Sequence, residues 1–470
     1  MPYETNSGSF EIASRLGHSA AAVRAIADKA SFHVPAEALG DVDWLRSRIR
    51  PRSDFALPEG ATPLLAALAV DGSHVVERIR DGLPSVMYGF AQAAAAFVDL
   101  TIMESQRSER FVDPVAIERA VNTALVSLDL PVAGAYTRPG IDIATSWREA
   151  IDRLFRTKRV EVNRIDQSLL DLLLLLHGEP GKPSVSVPVN CPDDECSQQD
   201  VQVPAAGLSC PGCGRHLYPT DTLRIHEEAV EEGTNEAALG RLMSVVELLV
   251  FVGLATLLWE QSRNELLQTT LFIVDGPLAM YGPPAKLRGR ALTFFQAMVA
   301  TTAGCGPFIC GLEKSGAMVD YARQLARHDV VLPGELVVCD QQVIRAVTNS
   351  ANAVSYGKET YWGRKFIYRA RDGRVVVPTV MPAINPPYDS SGGQPDPEGY
   401  PTLPAILDVI DRTGSSMYRD GIIPVAAAHG RAAFPIGVGT DVLRLVAKQK
   451  LGLHGPTSAG PRTPYPRGSR

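Results

Sequence analysis

Two apolar stretches decide the predicted fold: Leu64-Leu65-Ala66-Ala67-Leu68-Ala69-Val70-Asp71-Gly72-Ser73 and Thr270-Leu271-Phe272-Ile273-Val274-Asp275-Gly276-Pro277-Leu278. Continuous hydrophobic runs are typical of strands that are buried on both faces of a parallel sheet. Each stretch therefore predicts a buried strand with an aspartate, Asp71 or Asp275, at its C-terminal end. Open α/β sheets carry their functional groups just beyond the carboxyl ends of the strands, so the two carboxylates are candidate ligands of a shared divalent cation.

Asp-Gly is also an ordinary turn dipeptide, and this alternative stays open for both aspartates. We interpret Asp372-Gly373 in this way, because it joins Phe366-Ile367-Tyr368 to Val375-Val376-Val377 as a hairpin turn does. The functional interpretation of the other two dipeptides therefore depends on further ligands elsewhere in the chain.

Length and composition predict a globular protein with a large core and two or more structural units, since 45% of the 470 residues are hydrophobic. We find no N-terminal signal, and the apolar stretch Leu248 to Trp259 is bracketed by Glu247 and Glu260, which predicts that it is too short to span a bilayer. We therefore expect a cytoplasmic protein with no membrane partner. The net charge of −6 argues against a protein that coats DNA, but not against an enzyme with a local positive channel. The sequence has no Gly-x-x-x-x-Gly-Lys-Ser/Thr loop, which excludes ATP hydrolysis by that mechanism.

Four of the seven cysteines predict a zinc ribbon. They lie in Cys191-Pro-Asp-Asp-Glu-Cys196 and Cys210-Pro-Gly-Cys213, with residues 197 to 209 between the two pairs. Four thiolates at ~2.3 Å complete a tetrahedral zinc site, which leaves no open position and is therefore structural. A pair of disulfides is the alternative, and the odd number of cysteines without a secretory signal disfavours it. The ribbon is also a candidate docking surface for DNA or a partner.

The order of elements predicts one α/β catalytic core that is interrupted by insertions. We expect strands near 86–90 and 95–100, beside the first Asp-Gly strand, and another apolar stretch at 306–312. Helices are predicted at 20–29, 114–127, 145–158, 166–177, 235–262 and 440–450, and a long mobile loop at 383–401. The predicted divisions are an N-terminal arm (1–60), the first part of the core (61–112), a helical insertion (113–184), the zinc ribbon (185–220), the second part of the core (221–452) and a disordered tail (453–470).

A third acidic ligand is expected from the helix that leads into the second Asp-Gly strand, where Glu247 and Glu260 compete. From Ser262 back to Glu247 the helix covers about 22 Å at ~1.5 Å per residue. From Thr269 to Asp275 the strand covers about 20 Å at ~3.3 Å per residue. Because the helix runs antiparallel to the strand, Glu247 returns to the level of Asp275. A solvated position is the alternative for Glu247, and its apolar neighbours on both sides disfavour it.

His429, in Ala426-Ala427-Ala428-His429-Gly430-Arg431, is a candidate fourth ligand. A lone histidine among small apolar residues is more often a packed core residue. Together with carboxylates, however, an imidazole suits Mn²⁺, or else Mg²⁺. Two such metals ~3.5–4 Å apart can activate water and stabilise the leaving oxygen of a phosphodiester.

The order of these motifs resembles the NurA-type DNA double-strand-break repair nucleases. The matching residues, over roughly 60–450, are Val70-Asp71-Gly72-Ser73, a helix with a glutamate, Val274-Asp275-Gly276-Pro277-Leu278 and Ala428-His429-Gly430-Arg431. The resemblance implies an RNase H-like (PIWI-like) mixed sheet flanked by helices, and a manganese-dependent 5′→3′ exonuclease and single-strand endonuclease. It further implies a homodimer that works with a HerA-type hexameric ATPase in DNA end resection and repair. Asp71, Asp275 and His429 match the family by position, whereas Glu247 rests on the spacing above. The zinc ribbon and the long helical segment depart from the family pattern.

Several cations are candidate contacts to phosphate. Lys314 follows the stretch 306–312, where it either meets a phosphate or pairs with Glu313. Basic residues mixed with aromatic ones can hold phosphates and stack unpaired bases. An ordinary solvent-facing strand is the alternative for Arg369 and Arg371. The candidate DNA-binding residues are Lys286, Arg288, Arg290, Arg364 and Lys365, with Tyr361 and Trp362 next to the last two.

Two other functions remain open from the sequence. The chain would be a non-catalytic DNA-binding or adaptor subunit of an ATPase if its metal ligands were incomplete. It would be a metallophosphatase acting on nucleotides if the same carboxylates lay in a closed pocket. Cleavage of DNA that requires both a metal and Asp71 separates the nuclease from both alternatives.

Overall fold

A computed structural model of the chain describes residues 2–4, 10–12, 42–81, 85–107, 120–162, 165–260, 264–302, 306–348, 360–382, 399–414, 421–434 and 438–453. Two compact units divide the chain into Met1–Gly40 and Asp41–Arg470. The predicted helix at 20–29, most of the predicted loop at 383–401 and residues 454–470 of the predicted tail lie outside the described residues.

The described strands pair into one large sheet and four small two-stranded sheets. In chain order they are β1 (Pro2–Glu4), β2 (Phe10–Ile12), β3 (Ile49–Pro51), β4 (Ala66–Arg80), β5 (Val86–Asp99), β6 (Val121–Ala133), β7 (Arg159–Val162), β8 (Ile165–Ser168), β9 (Ser186–Val189), β10 (Val201–Pro204), β11 (Leu208–Ser209), β12 (His216–Leu217), β13 (Thr270–Asp275), β14 (Phe308–Glu313), β15 (Glu335–Val338), β16 (Arg364–Arg369) and β17 (Val375–Val380).

Helices cover both faces of the large sheet. Among the described residues they are α1 (Val42–Arg46), α2 (Leu100–Arg107), α3 (Ile143–Thr157), α4 (Leu169–His177), α5 (Glu236–Glu260), α6 (Asn264–Thr269), α7 (Leu287–Thr301), α8 (Ala317–Arg327), α9 (Gln341–Thr348), α10 (Leu403–Arg412), α11 (Ile423–Ala432) and α12 (Val438–Lys450). The predicted helices at 145–158, 235–262 and 440–450 correspond to α3, α5 and α12. The one predicted at 166–177 corresponds to α4, but its first residues belong to β8.

The large sheet is mixed and has nine strands in the order β3-β15-β16-β17-β14-β13-β4-β5-β6. Strand β13 is parallel to both of its neighbours, β4 and β14. Every other neighbouring pair in this sheet is antiparallel. The expectation of an α/β fold with a mixed sheet flanked by helices is therefore confirmed.

The first Asp-Gly dipeptide does not end its strand as predicted. Strand β4 continues through Asp71 to Arg80, because β5 pairs with it along this whole length, with Asp71 opposite Ala94 and Gly72 opposite Ala93. Strand β13 pairs with β4 only up to Val70. Asp71 therefore lies within a long strand, at the point where the parallel part of the sheet ends.

The second and third Asp-Gly dipeptides agree with expectation. Asp275 is the last residue of β13, and Gly276 follows at a φ of 112°, a value that L side chains rarely adopt. Asp372-Gly373 is the turn between the antiparallel strands β16 and β17, and Gly373 has a φ of 89°.

Two predictions of local structure are wrong. The stretches at 86–90 and 95–100 form one strand, β5, rather than two. The helix predicted at 114–127 is strand β6 from Val121 onward, so the predicted helical insertion contributes the edge of the large sheet. The burial of Val126, Leu128, Leu130 and Val132 alternates with less buried positions, which is the period of a strand.

Alternate residues of the central strands face two separate hydrophobic cores. In β4, Leu68 and Val70 pack into the first core, which contains helices α4, α5 and α7. Ala67 and Ala69 face the second core, which contains α10 and α11. The two layers therefore sandwich the strands that carry the Asp-Gly dipeptides.

The apolar segment of helix α5 is longer than the predicted stretch from Leu248 to Trp259. Its segment Glu236–Trp259 is sufficient by length and composition to cross a bilayer, with a mean hydropathy of 2.2 in its most apolar window, which is 67% buried inside the protein. Phe251 of this helix lies at the centre of an aromatic cluster with Phe272 and Phe295, with ring centroids 5.6 and 5.4 Å away. The apolar character of α5 thus matches its place in the first core.

A candidate metal centre at the end of the parallel strands

Three of the predicted ligands converge at the point where β13 ends beside β4. The Oδ2 atom of Asp71 lies 2.7 Å from Nδ1 of His429, and Oδ2 of Asp275 lies 4.0 Å from the same nitrogen. Ligand atoms of all three residues lie within 4.8 Å of one another. Two carboxylates and an imidazole at this spacing fit a hard divalent cation such as Mn²⁺ or Mg²⁺.

Each ligand comes from a different element. Asp71 faces the same side of β4 as Ala67 and Ala69, so its carboxylate lies toward the second core. Asp275 stands at the carboxyl end of the adjacent parallel strand. His429 belongs to α11, which buries Ala428 in the second core and leaves the imidazole 49% exposed. The site therefore opens to solvent on the side of His429.

Glu247 approaches the same place from the opposite face of the sheet. Helix α5 lies in the first core, and Gly72 leaves room for the glutamate because a Cβ there would be only 2.7 Å from Oε1 of Glu247. Glu260 lies 13 residues further along the same helix, or about 20 Å away. The structure thus places Glu247 beside the carboxylates, as the spacing of helix and strand predicts, but outside the group of ligand atoms that Asp71, Asp275 and His429 form.

The carboxylates are electrostatically unfavourable neighbours in the absence of a cation. Burial, together with the negative charge of Asp275, raises the pKa of Asp71 to about 6, although His429 and Lys314 act in the opposite direction. Burial, followed by the charges of Asp71 and Asp275, raises the pKa of Glu247 to about 8. A divalent cation would relieve this repulsion and favour the ionised carboxylates.

Lys314 lies at the metal centre and not in a solvated turn. Its Nζ is 2.6 Å from Oδ2 of Asp275, directly after the end of β14. The alternative partner, Glu313, is paired instead with Lys365. Lys314 is therefore within reach of any phosphate that approaches Asp275.

The structure buries Lys365 and Trp362, two of the residues considered as DNA contacts. Lys365 is only 4% exposed, and its charge is compensated by Glu313. Trp362 is buried and stacks on Phe295 with ring centroids 5.6 Å apart. Lys365 nevertheless lines the cavity of the metal centre, whereas Trp362 does not, so DNA contact by Lys365 stays a prediction.

The other predicted DNA-binding residues are spread over different surfaces. Arg364 starts β16 and does not line the metal centre. Arg369 and Arg371 pair with Asp329 and Asp411. Lys286, Arg288 and Arg290 lie at the start of α7, where Lys286 and Arg290 line a second cavity.

The metal centre lies in a cavity of about 720 Å³. Tyr281 and Tyr361 also line this cavity, where they form an edge-to-face pair with their hydroxyl oxygens 2.9 Å apart. The sequence analysis did not identify Tyr281 as a residue of the site. Its only sequence signal is its position six residues after Asp275. Besides the residues already described, the lining includes Gly72, Met243, Ser244, Gly276, Pro277, Ser315, Gly316, Ala317 and Met318.

The four cysteines of the predicted ribbon also converge. The Sγ atoms of Cys191 and Cys213 are 3.6 Å apart, and those of Cys196 and Cys210 are 3.7 Å apart. Zinc with four thiolates at ~2.3 Å requires a sulfur to sulfur distance of about 3.8 Å, so the cluster fits zinc. A disulfide requires ~2.05 Å, and all four thiols are free.

Comparisons with known proteins give one weak match. No family model matches the chain, and no curated protein matches it. Among solved structures, the crystal structure of the NurA nuclease from Sulfolobus solfataricus is similar at 10% sequence identity and a TM-score of 0.34, over 94% of this chain and 96% of that one. A likeness of this size does not by itself establish a common fold or activity.

Proposed function

We propose that this protein is a metal-dependent deoxyribonuclease that hydrolyses phosphodiester bonds at the centre formed by Asp71, Asp275 and His429. The convergence of these three side chains from separate elements is the observation that carries the proposal. The motif order in the sequence and the strand order β6-β5-β4-β13-β14 support an RNase H-like core. Glu247 supplies a further oxygen donor.

Asp71, Asp275 and His429 hold the catalytic Mn²⁺ or Mg²⁺ in this proposal. When bound there, a divalent cation would polarise a phosphoryl oxygen and lower the pKa of the attacking water. Water then adds to phosphorus, the bond to the leaving oxygen breaks, and that oxygen takes a proton. Lys314, once it leaves Asp275, neutralises negative charge on the phosphate. Tyr281 and Tyr361 form an aromatic wall beside the reacting group.

An extended substrate suits this site better than a free nucleotide does. The imidazole of His429 is half exposed, so the cavity of about 720 Å³ is open to solvent on this side. Aromatic side chains beside a cationic group are typical of proteins that bind single-stranded nucleic acids. This favours the nuclease over a metallophosphatase with a closed pocket.

The remaining features of the proposal come from the motif resemblance, apart from the cytoplasmic location, which rests on the sequence pattern, and the manganese preference, which the imidazole ligand also favours. They are 5′→3′ polarity, single-strand endonuclease activity, a preference for manganese, a homodimeric state, a cytoplasmic location, and a role in DNA end resection with a HerA-type hexameric ATPase. Since the chain has no P-loop motif, any translocation must come from such a partner.

Cleavage of labelled single-stranded and blunt linear DNA in Mn²⁺, Mg²⁺ or EDTA tests the proposal. Asp71→Asn and Asp275→Asn are each expected to reduce the rate of cleavage about 1,000-fold. The loss of stabilisation by the metal ion would raise the activation free energy by about 4 kcal/mol. Asp372→Asn is the matched control, since it alters an Asp-Gly dipeptide in an exposed hairpin turn. Unchanged cleavage by the Asp71 variant would exclude this centre as the site of hydrolysis. If the protein binds metal but never cleaves DNA, even with the ATPase, it is an adaptor and not a nuclease.

A further inference from the structure

A second cavity, of about 210 Å³, lies between the cysteine ribbon and the start of α7. His177, at the end of α4, forms one wall, and Asn190, next to Cys191, forms another. Lys286 and Arg290 close it from the side of α7. The ribbon insertion and the nuclease core therefore build this cavity together.

The cavity has uncompensated positive charge. Among the described residues, neither Lys286 nor Arg290 has a carboxylate within 4.0 Å, and both are exposed. Arg224 also lines the cavity, but Glu227 holds it through two hydrogen bonds of 2.7 Å. The lining also includes the exposed carboxylate of Asp200, so Lys286, Arg224 and Arg290 outnumber the acidic side chains that line the cavity.

His177 has an unmet requirement for a hydrogen-bond partner. Both of its ring nitrogens are buried and neither has a partner in the described structure. Burial, reinforced by the charge of Arg290, lowers the pKa of His177 to about 4, so the imidazole is neutral at pH 7 and carries one N–H. A buried donor without an acceptor is unfavourable, and an anion in the cavity would supply the acceptor.

We propose that this second cavity is a phosphate pocket, in which Lys286, Arg290 and His177 hold a backbone phosphodiester of the DNA strand that enters the metal centre. This inference rests on the proposed nuclease function for the identity of the ligand. Two unpaired cations and a neutral N–H donor match the charge and the acceptor oxygens of a phosphodiester. The ribbon contributes to substrate binding by forming the opposite wall.

The two cavities are close enough for one strand to occupy both. Tyr281 lines the metal centre and Lys286 lines the phosphate pocket. Four residues lie between them, so five chain steps of about 3.6 Å at most hold their Cα atoms within about 18 Å of each other. A strand of a few nucleotides therefore reaches from one cavity to the other, and a single free phosphate does not.

Binding of a fluorescent 15-nucleotide oligothymidylate in EDTA tests this pocket without cleavage. The double variant Lys286→Ala/Arg290→Ala is expected to bind about 10-fold more weakly. The slope of log affinity against log salt should become shallower by about 0.7, because the variant loses one phosphate contact and each contact on a single strand contributes about 0.7. Arg327→Ala/Lys448→Ala removes the same charge from distant exposed positions and should leave affinity and slope unchanged. Lys286→Arg/Arg290→Lys should retain binding.

Equal loss of affinity in the two alanine double variants would overturn the proposal, since it would reflect net charge alone. Free phosphate as the true ligand is the other contrary outcome. Inorganic phosphate would then raise the melting temperature of the wild-type protein but not of Lys286→Ala/Arg290→Ala, while the oligonucleotide would bind both equally. A protein that binds the oligonucleotide through this pocket but never cleaves DNA would contradict the nuclease and not the pocket.

Discussion

The ammonium group of Lys314 lies against Asp275 at a distance of 2.6 Å and thus competes with any divalent cation for that carboxylate. We expect Lys314→Met to bind Mn²⁺ about 2- to 5-fold more tightly, which is the strength of a partly exposed ion pair, and to cleave DNA more slowly. Isothermal titration with Mn²⁺, together with cleavage assays, measures both effects. Lys314→Arg keeps the charge and serves as the control. Weaker Mn²⁺ binding by the methionine variant would contradict this role.

His177 makes the stability of the protein dependent on pH. In the unfolded chain a histidine titrates near pH 6.5, whereas the folded protein holds the pKa of His177 at about 4. Below pH 6.5 the unfolded chain therefore binds a proton that the folded chain does not, and stability falls until about pH 4. Between pH 7.5 and 5.0 the wild type should lose about 2 kcal/mol more free energy of unfolding than His177→Gln. Urea unfolding in phosphate-free buffers measures the difference, and parallel losses would contradict it.

Single residues were predictable where chemistry and spacing combined. Asp71, Asp275 and His429 were found from their motifs, and Glu247 was chosen over Glu260 from the rise of a helix and a strand. The burial of Lys365 was not predicted, because nothing in the sequence reveals its buried partner Glu313. Burial of a charged residue depends on a partner that is distant in sequence, so local patterns do not predict it.

At the scale of elements, the contact between β4 and α5 depends on the missing side chain of Gly72. A Cβ at this position would be 2.7 Å from Oε1 of Glu247 and 2.9 Å from Cγ of Met243. Gly72→Ala should therefore displace the glutamate and lower cleavage and Mn²⁺ affinity by about 10- to 100-fold, as changes at supporting positions of metal sites do. Because the displaced side chains are flexible, the melting temperature should change little.

Gly289→Ala is the matched control for that prediction. Gly289 lies in helix α7, and a Cβ at this position would meet no described atom within 4 Å. Alanine favours a helix by about 1 kcal/mol relative to glycine. This variant should therefore be as active as the wild type and slightly more stable. Equal activity of the two alanine variants would show that Glu247 does not depend on Gly72.

The long apolar strands and helices could be predicted from the sequence, but the pairing of strands in the sheet could not. The strong strand β13 and helix α5 follow from their composition, within a few residues. The extent of β4 beyond Asp71 depends on β5, which supplies hydrogen-bond partners that the local sequence does not announce. The sequence of β6 wrongly predicts a helix, because apolar and polar residues do not alternate clearly before Val126, where burial in the first core begins.

At the scale of the whole molecule, buried hydrogen bonds from Arg148 hold the end of the cysteine ribbon, and Asp221 directly after it, against α3. Arg148 of α3 donates hydrogen bonds of 2.8 and 2.7 Å to Asp221, and another of 2.6 Å to the carbonyl oxygen of His216. The ribbon does not line the metal centre. Zinc in the ribbon should therefore affect stability and oligonucleotide binding more than the chemistry of cleavage.

Replacement of two thiols tests the ribbon directly. Cys191→Ser/Cys213→Ser should reduce the zinc content from about one ion per chain to none and lower the melting temperature, since structural zinc sites contribute folding energy. Metal analysis and thermal unfolding measure the two effects. Cys310→Ala removes a buried thiol of the second core and should keep its zinc. Undiminished zinc in the double serine variant would contradict the four-thiolate site.

The proposed metal centre draws on both sides of the sheet, and this has a consequence for folding. Glu247 arrives with the first core, and His429 arrives with the second. Neither layer alone can assemble the donor set, so high-affinity Mn²⁺ binding should be a late event in refolding, after both layers have packed. Under the proposed function, a newly made or partly unfolded chain should therefore not cleave DNA, and hydrolytic activity should appear only with the complete native structure.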